Sequence, residues 1–176
     1  MAYCTQTLAG LARDCSANQG GIREAWIGAY SDNVFTVSGG QITAVATGTS
    51  FYHYTFKKDT GSFTSTLNID EANGINYVST EINFVFARME TLKRTEMAAL
   101  SLGDLCVVVK DANSKYWAFG VEEPVNASAG SGESGVARGD RNAYSITLLD
   151  NASSYPYELT ESAFQGMTIA EPSNAS

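Results

Sequence analysis

Apolar and polar positions alternate with a period of two along most of this chain, which is the period of half-buried β-strands. IREAWIGAY, from Ile22 to Tyr30, has strand composition. Ser31–Asn33 after it has turn chemistry, because such side chains hydrogen-bond their own backbone. VFTV at 34–37 and QITAVA at 41–46 flank Ser38-Gly39-Gly40, which predicts a hairpin. Further strands are predicted at 51–57, 62–69 and 75–87. LCVVVK at 105–110 and KYWAFGV at 115–121 form a second hairpin across Asp111–Ser114. The Gly-rich stretch after it reads as a loop, and AYSITLLD at 143–150 is the last clear strand. One segment departs from this period. Over 90–102, Leu92, Met97 and Leu100 are apolar among charges, and Glu90 and Arg94 form an i,i+4 pair in the favourable order. That predicts a helix, with Gly103 placed to end it. Seven or eight strands and one helix predict a mainly β fold, an antiparallel sandwich or barrel with the helix packed across it. The domain reads as 21–152, between an N-terminal arm at 1–20 and a C-terminal arm at 153–176.

The hairpin at 62–87 is the most informative feature. In its first arm Phe63, Leu67 and Ile69 share one face, and Ser62, Thr64, Thr66 and Asn68 share the other. In its second arm Val78, Ile82, Phe84 and Phe86 oppose Tyr77, Ser79, Glu81 and Asn83. Asn73-Gly74 marks the tip. Phe63, Leu67, Ile82, Phe84 and Phe86, with Trp117 from the later hairpin, are the candidate packing residues. The polar face carries Ser, Thr, Asn and one Glu, without Lys or Arg. An exposed sheet of any β protein could carry such a face. It also suits the lining of a tube through which a polyanion slides without sticking, the reverse of a DNA-binding groove.

Charge and cysteine usage narrow the function classes. The 176 residues (18.8 kDa) suit one domain. Nineteen acids against 11 Lys and Arg give a net charge of −8, which disfavours tight electrostatic binding of nucleic acid. No apolar run approaches the roughly 18 residues of a membrane helix, so no membrane partner is expected. The start, MAYCTQTLAG, lacks a basic region followed by an apolar one, so no secretory signal is expected. The three cysteines, Cys4, Cys15 and Cys106, form no C-x-x-C pair and no closed disulfide framework. The single histidine, His53, sits among alternating aromatics and reads as a strand residue. No metal site, catalytic residue or cofactor is expected.

A resemblance adds to this reading. GDLCVVVKDANSKYWAFG, then a Gly/Ser-rich loop ending Gly139-Asp140-Arg141-Asn142, then an alternating strand closing on Ser154-Tyr155-Pro156-Tyr157-Glu158, resembles structural proteins of tailed phages. The order of parts is similar to the tail tube or tail ring proteins of phages infecting Bacteroidetes, over about Gly20 to Leu159. Ser114 stands where a glycine is usual at the second hairpin tip. The resemblance implies a β-sandwich with one helix and a protruding hairpin that pairs edge to edge with neighbouring subunits. It implies rings, commonly hexameric, stacked into a tube that conducts DNA. The partners would be further copies of the chain, other tail or connector proteins, and viral DNA that passes without tight binding. The chain would then be assembled in the host cytoplasm and located in the virion tail. Ser62, Thr64, Thr66, Asn68, Ser79, Glu81 and Asn83 would line the lumen. Asp70, Glu71, Arg138, Asp140 and Arg141 are the interface candidates.

Two other readings are carried alongside. One is a capsid decoration or head–tail connector protein. The other is a carbohydrate-binding sandwich using Tyr52, Tyr54, Tyr116 and Trp117. Weaker patterns do not reach a function. GSGESG at 130–135 lacks the Gly-Lys-Ser/Thr ending of a phosphate loop, and Asp111-Ala112-Asn113 lacks the later glycine and glutamate of a calcium loop.

Overall fold

The computed structural model describes residues 8–171. The chain forms two stacked sheets and two helices. In chain order the elements are β1 (Ile22–Ala29), β2 (Phe35–Ser38), β3 (Gln41–Val45), β4 (Ser50–Thr55), β5 (Ser62–Asp70) and β6 (Ile75–Ala87). Helix α1 (Thr91–Leu102) follows, then β7 (Leu105–Asp111), β8 (Tyr116–Phe119), β9 (Asn126–Glu133) and β10 (Ala143–Ala152). The chain closes with β11 (Tyr157–Leu159), α2 (Glu161–Gln165) and β12 (Thr168–Ala170).

The larger sheet has the order β12-β4-β1-β7-β8-β11-β3-β2, and the smaller one β5-β6-β10-β9. The larger sheet is buried on both faces through its centre, which explains the continuous apolar run of β7. Ala25, Ile27, Val107, Val109 and Phe119 point to the smaller sheet, where they meet Ile82, Phe84, Ile146 and Leu148. Trp26, Cys106, Val108 and Ala118 point the other way, into a second core with Ile42, Phe51, Leu159 and Met167. The larger sheet curls around this second core, so that Phe35 of β2 lies 6.3 Å from Phe51 of β4. Each buried Val, Leu, Ile or Phe contributes about 1.5–3 kcal/mol.

Most predicted strands form where the alternation puts them. The turn between β2 and β3 uses Gly39 (φ 62°) and Gly40 (φ 79°), both left-handed as a two-residue hairpin loop requires. Ser114 takes φ 62° at the tip between β7 and β8, so the hairpin closes without a glycine. Two expectations need correction. The Gly-rich stretch is not all loop: residues 126–133 form β9, paired along β10. Its glycines permit this, because the side of β9 that faces the core is crowded. A Cβ at Gly132 would meet the Tyr144 ring at 3.0 Å and Met89 Cε at 3.3 Å. Residues 153–171 are not a free arm. β11 and β12 add strands to the larger sheet, and Ala163 of α2 is buried in the second core. Gly103 ends α1 as the sequence predicts, in an extended conformation (φ −87°, ψ 150°) rather than a left-handed one.

Residues 8–21 form no helix or strand and are exposed throughout. Cys15 and Cys106 are free thiols, and burial pushes Cys106 up to about 12. Cys4 lies outside the described residues. No helix of the described residues is long and apolar enough to cross a membrane.

Candidate functional site

The smaller sheet carries the candidate site on its outer face. Its register pairs Ser62 with Asn83, Thr64 with Glu81, Thr66 with Ser79 and Asn68 with Tyr77. Directly paired residues share a face, so all seven polar residues named from the sequence stand together. The face then continues across β10 and β9. Asn83 and Glu81 pair with Thr147 and Leu149, and Ser145 and Thr147 pair with Ser131 and Ala129. Thr147 Oγ1 donates to Asn83 Oδ1 at 2.7 Å, and the Ser131 and Ser145 hydroxyls are 2.7 Å apart. Sequence reasoning misses Ser131, Ser145 and Thr147 as members of this face. Alternation in 143–150 could have revealed two of them, but β9 has too few apolar residues to signal a strand. Thr64, Thr66, Asn68, Tyr77, Ser79 and Glu81 line a shallow depression of about 280 Å³.

None of the four strands contains Lys, Arg or His. Their acids are Asp70, Glu81, Glu133 and Asp150. Glu133 is paired with Arg141 at 2.8 Å, which holds its carboxyl below the usual range. Glu81 stands exposed in the middle of the outer face.

Both edges of this sheet are free among the described residues, β5 on one side and β9 on the other. All neighbours within it are antiparallel, so β5 and β9 run in opposite directions. The edge of β9 presents mainly Ala, Ser and Gly, which leaves its backbone open to approach.

The five interface candidates fall at the two ends of the sheet. The Asp70 carboxylate accepts from Asn73 Nδ2 at 2.6 Å and from the Ala72 and Asn73 amides, which lowers its pKa. Asp70 therefore holds its own turn, with Glu71 exposed beside it. At the other end Asp140 accepts from the Val136 and Ala137 amides at 2.8 and 2.7 Å and is likewise lowered. Arg138 is exposed there, near the Arg141–Glu133 pair.

The packing candidates divide. Ile82 and Phe84 are fully buried, and Phe63, Phe86 and Trp117 pack half-buried against the same core. Trp117 Nε1 also donates to Asp111 Oδ2 at 3.0 Å. Leu67 is the exception, 42% exposed although it lies on the apolar face. The hairpin runs past the end of the opposite sheet, and Leu67, Ile69, Ile75 and Tyr77 lie exposed on the overhang.

The four aromatics of the carbohydrate reading do not form one platform. Tyr116 stacks on Phe164 at 4.3 Å beside the second core, whereas Trp117 and Tyr54 pack on the first. Tyr54 also donates to Glu96, and its burial raises its pKa. His53 bonds Glu24 at 2.7 Å and stacks on Trp26 at 5.1 Å. No metal-binding group of acids, His or Cys occurs among the described residues. No protein-family model matches the chain, and no curated protein or solved structure is significantly similar to it.

Proposed function

We propose that this chain is a structural subunit of a phage tail, whose copies close into rings that stack into a tube conducting DNA. The observation that carries this reading is the four-stranded sheet, with two free edges of opposite direction and an outer face free of cations. β5 of one copy beside β9 of the next continues the antiparallel pattern without a break. Repeating that contact around an axis closes a barrel and removes both edges of this sheet. The contact joins two different surfaces, as ring closure requires. Six copies would supply 24 strands. At about 4.8 Å per strand that is a circumference of roughly 115 Å, or roughly 37 Å across before tilt widens it. The bore then exceeds the width of a DNA duplex.

The outer face of the sheet becomes the lumen. Neutral hydroxyls and amides with scattered acids offer phosphates no counter-charge, so DNA is repelled weakly and slides. Stacking rings head to tail brings the acidic turn at Asp70 and Glu71 to the end that carries Arg138 and Arg141.

Negative-stain microscopy and native mass measurement of one sample test the assembly. The expected result is annular particles or tubes, with a species of about 113 kDa for six copies of 18.8 kDa. Particles without a hole, or a chain that stays at 18.8 kDa and never enters tails in infected cells, would overturn it.

The lumen assignment has its own test. Glu81→Lys places a cation on the middle of the face while leaving the core untouched. Tails carrying it should assemble in normal number and deliver DNA on the order of tenfold more slowly, with the defect relieved by salt. Delivery at the normal rate would show that this face does not meet DNA.

A further inference from the structure

The two ends of the domain differ in charge. At one end β1 finishes while β7 and β9 begin. There the Tyr30 amide donates to the Asp104 carbonyl at 2.9 Å, and Leu105 and Val125 exchange backbone bonds at 3.0 and 2.8 Å. The Ser153 amide, just past β10, donates to Glu122 Oε2 at 2.9 Å. The β5–β6 turn projects beyond the same end, because Ala152, the last residue of β10, pairs with Val78. Residues 29–33, 67–78, 100–106, 119–126 and 149–156 therefore build this end. Asp32, Asp70, Glu71, Asp104, Glu122 and Glu123 are exposed there. None of the 11 Lys and Arg residues falls in those segments. The opposite end, where β6 finishes and β10 begins, holds Arg88, Arg138 and Arg141, with Lys93 bonded to the Ala87 carbonyl at 2.6 Å.

Apolar surface accompanies this difference at both ends. On the overhang Leu67 and Ile69 share the face turned away from the polar one, and Ile69 is 62% exposed. At the opposite end Val136 is 102% exposed, on a loop whose shape is fixed. Asp140 Oδ2 accepts from the Val136 and Ala137 amides at 2.8 and 2.7 Å, and the Asp140 amide donates to the Ala137 carbonyl at 3.1 Å. A loop already closed in this way loses little freedom on binding. Arg138, two residues after Val136, forms no ion pair among the described residues. The loop cannot fold back on its own overhang. β10 alone spans about 30 Å from Ala143 to Ala152, and its pairing with β6 and β9 holds that length.

We infer that the 134–142 loop of one copy docks on the hairpin overhang of the copy stacked against it, with Val136 on Leu67 and Ile69 and Arg138 against Glu71. The inference rests on the proposed stacking, and it gives that stacking an anchor and a direction. Charge selects the occupant. Two acidic ends repel each other, whereas the acidic end of one copy and the arginine-bearing end of another attract, so copies align head to tail. The valine and its two apolar partners form the dry centre of the contact, with the charges at its rim. The overhang is covered on the side away from the lumen, which leaves the polar face clear. At about 1 M salt the screening length falls to about 3 Å, so tubes should separate into single rings.

Cysteine cross-linking tests this. In a Cys4→Ser, Cys15→Ser background, one chain carries both Ile69→Cys and Val136→Cys. Oxidised at low salt, it should run as a ladder at multiples of 18.8 kDa. The multimers should exceed those of Leu102→Cys with Val136→Cys by about tenfold or more. Leu102 is 89% exposed near the same end but lies on α1, away from the overhang. Charge reversal gives a second readout. Arg138→Glu should lower the fraction of subunits in tubes by about tenfold or more, and Glu71→Arg in the same chain should restore it. Cross-linking at the control level in particles that microscopy shows as rings or tubes would overturn the docking and leave the ring reading standing. A disulfide closed within one chain would overturn docking on a second copy. Tubes of Arg138→Glu as abundant as wild type would overturn the Arg138–Glu71 contact. A ladder from particles without a hole would support the docking and overturn the ring. A sample with neither assemblies nor cross-links would overturn both.

Discussion

Phe84→Asp should leave no folded protein. Phe84 is fully buried between the two sheets, stacked on Phe56 at 4.8 Å and 11° and close to Phe86. Deleting such a ring costs about 3–5 kcal/mol through lost transfer energy and the cavity left behind. A carboxylate in its place adds several kcal/mol more, because no cation stands among its neighbours. The sum consumes the roughly 5–15 kcal/mol that a domain has in total. The measurement is near-ultraviolet circular dichroism with chemical denaturation. Leu67→Asp is the matched control, on the same hairpin face but exposed on the overhang. It should cost about 0.5 kcal/mol or less. A folded Phe84→Asp protein, or a Leu67→Asp protein as unstable as Phe84→Asp, would show that the buried part of the hairpin ends elsewhere.

Asp150→Asn should stabilise the protein at neutral pH. Asp150 is 5% exposed on the inner side of β10, and burial pushes its carboxyl up to about 6. The Gly120 amide donates to it at 3.4 Å, and Glu122 and Glu123 add negative charge nearby. Gly120 must be glycine to make this approach. Its φ is +80°, and a Cβ there would lie 2.9 Å from the Leu105 carbonyl. The pH dependence follows from the proton count. Above the ordinary value of 3.8 the unfolded chain releases the proton, while the folded chain keeps it until about pH 6. Stability therefore falls as pH rises from about 4 to about 6, and the loss is complete above that. The two values differ by about 2 units, or roughly 3 kcal/mol. Asparagine keeps an acceptor for Gly120 without the charge. The variant should gain up to roughly 3 kcal/mol at pH 7, on the order of 6–12 °C in Tm, and lose this acid-side slope. Asp70, Glu133 and Asp140 have lowered pKa values and slope the opposite way, but all three are exposed. Equal melting of wild type and variant at pH 7 and at pH 4 would show that Asp150 carries no burial penalty.

The two faces of the long hairpin are legible in the sequence, because alternation is a local property of an extended chain. Ser62 to Asn68 and Ser79 to Asn83 need only their spacing to be placed together. The same rule does not see β9. NASAGSGE has no apolar alternation, and it becomes a strand because β10 offers it a partner and the Ser145 carbonyl, the Tyr144 ring and Met89 leave room only for small side chains at Gly130 and Gly132. β11, α2 and β12 are hidden for a related reason. Each is three to five residues long, below the length at which a period can be read, and each is held by a sheet or core built from distant parts of the chain. Leu67 shows the limit from the other direction: its pattern assigns it to the apolar face, but only the length of the opposite sheet decides where that face stops being covered.

By itself, then, the sequence determined the β character of the chain, the helix near 90–102 and the polar, cation-free face of the hairpin, all of which depend on neighbours a few residues apart. Only the tertiary structure decided that this face spans four strands, that its two free edges run in opposite directions, and that residues 157–170 complete the larger sheet. Those are relations between segments far apart in the chain, and they arise when strands choose partners and two apolar faces find each other.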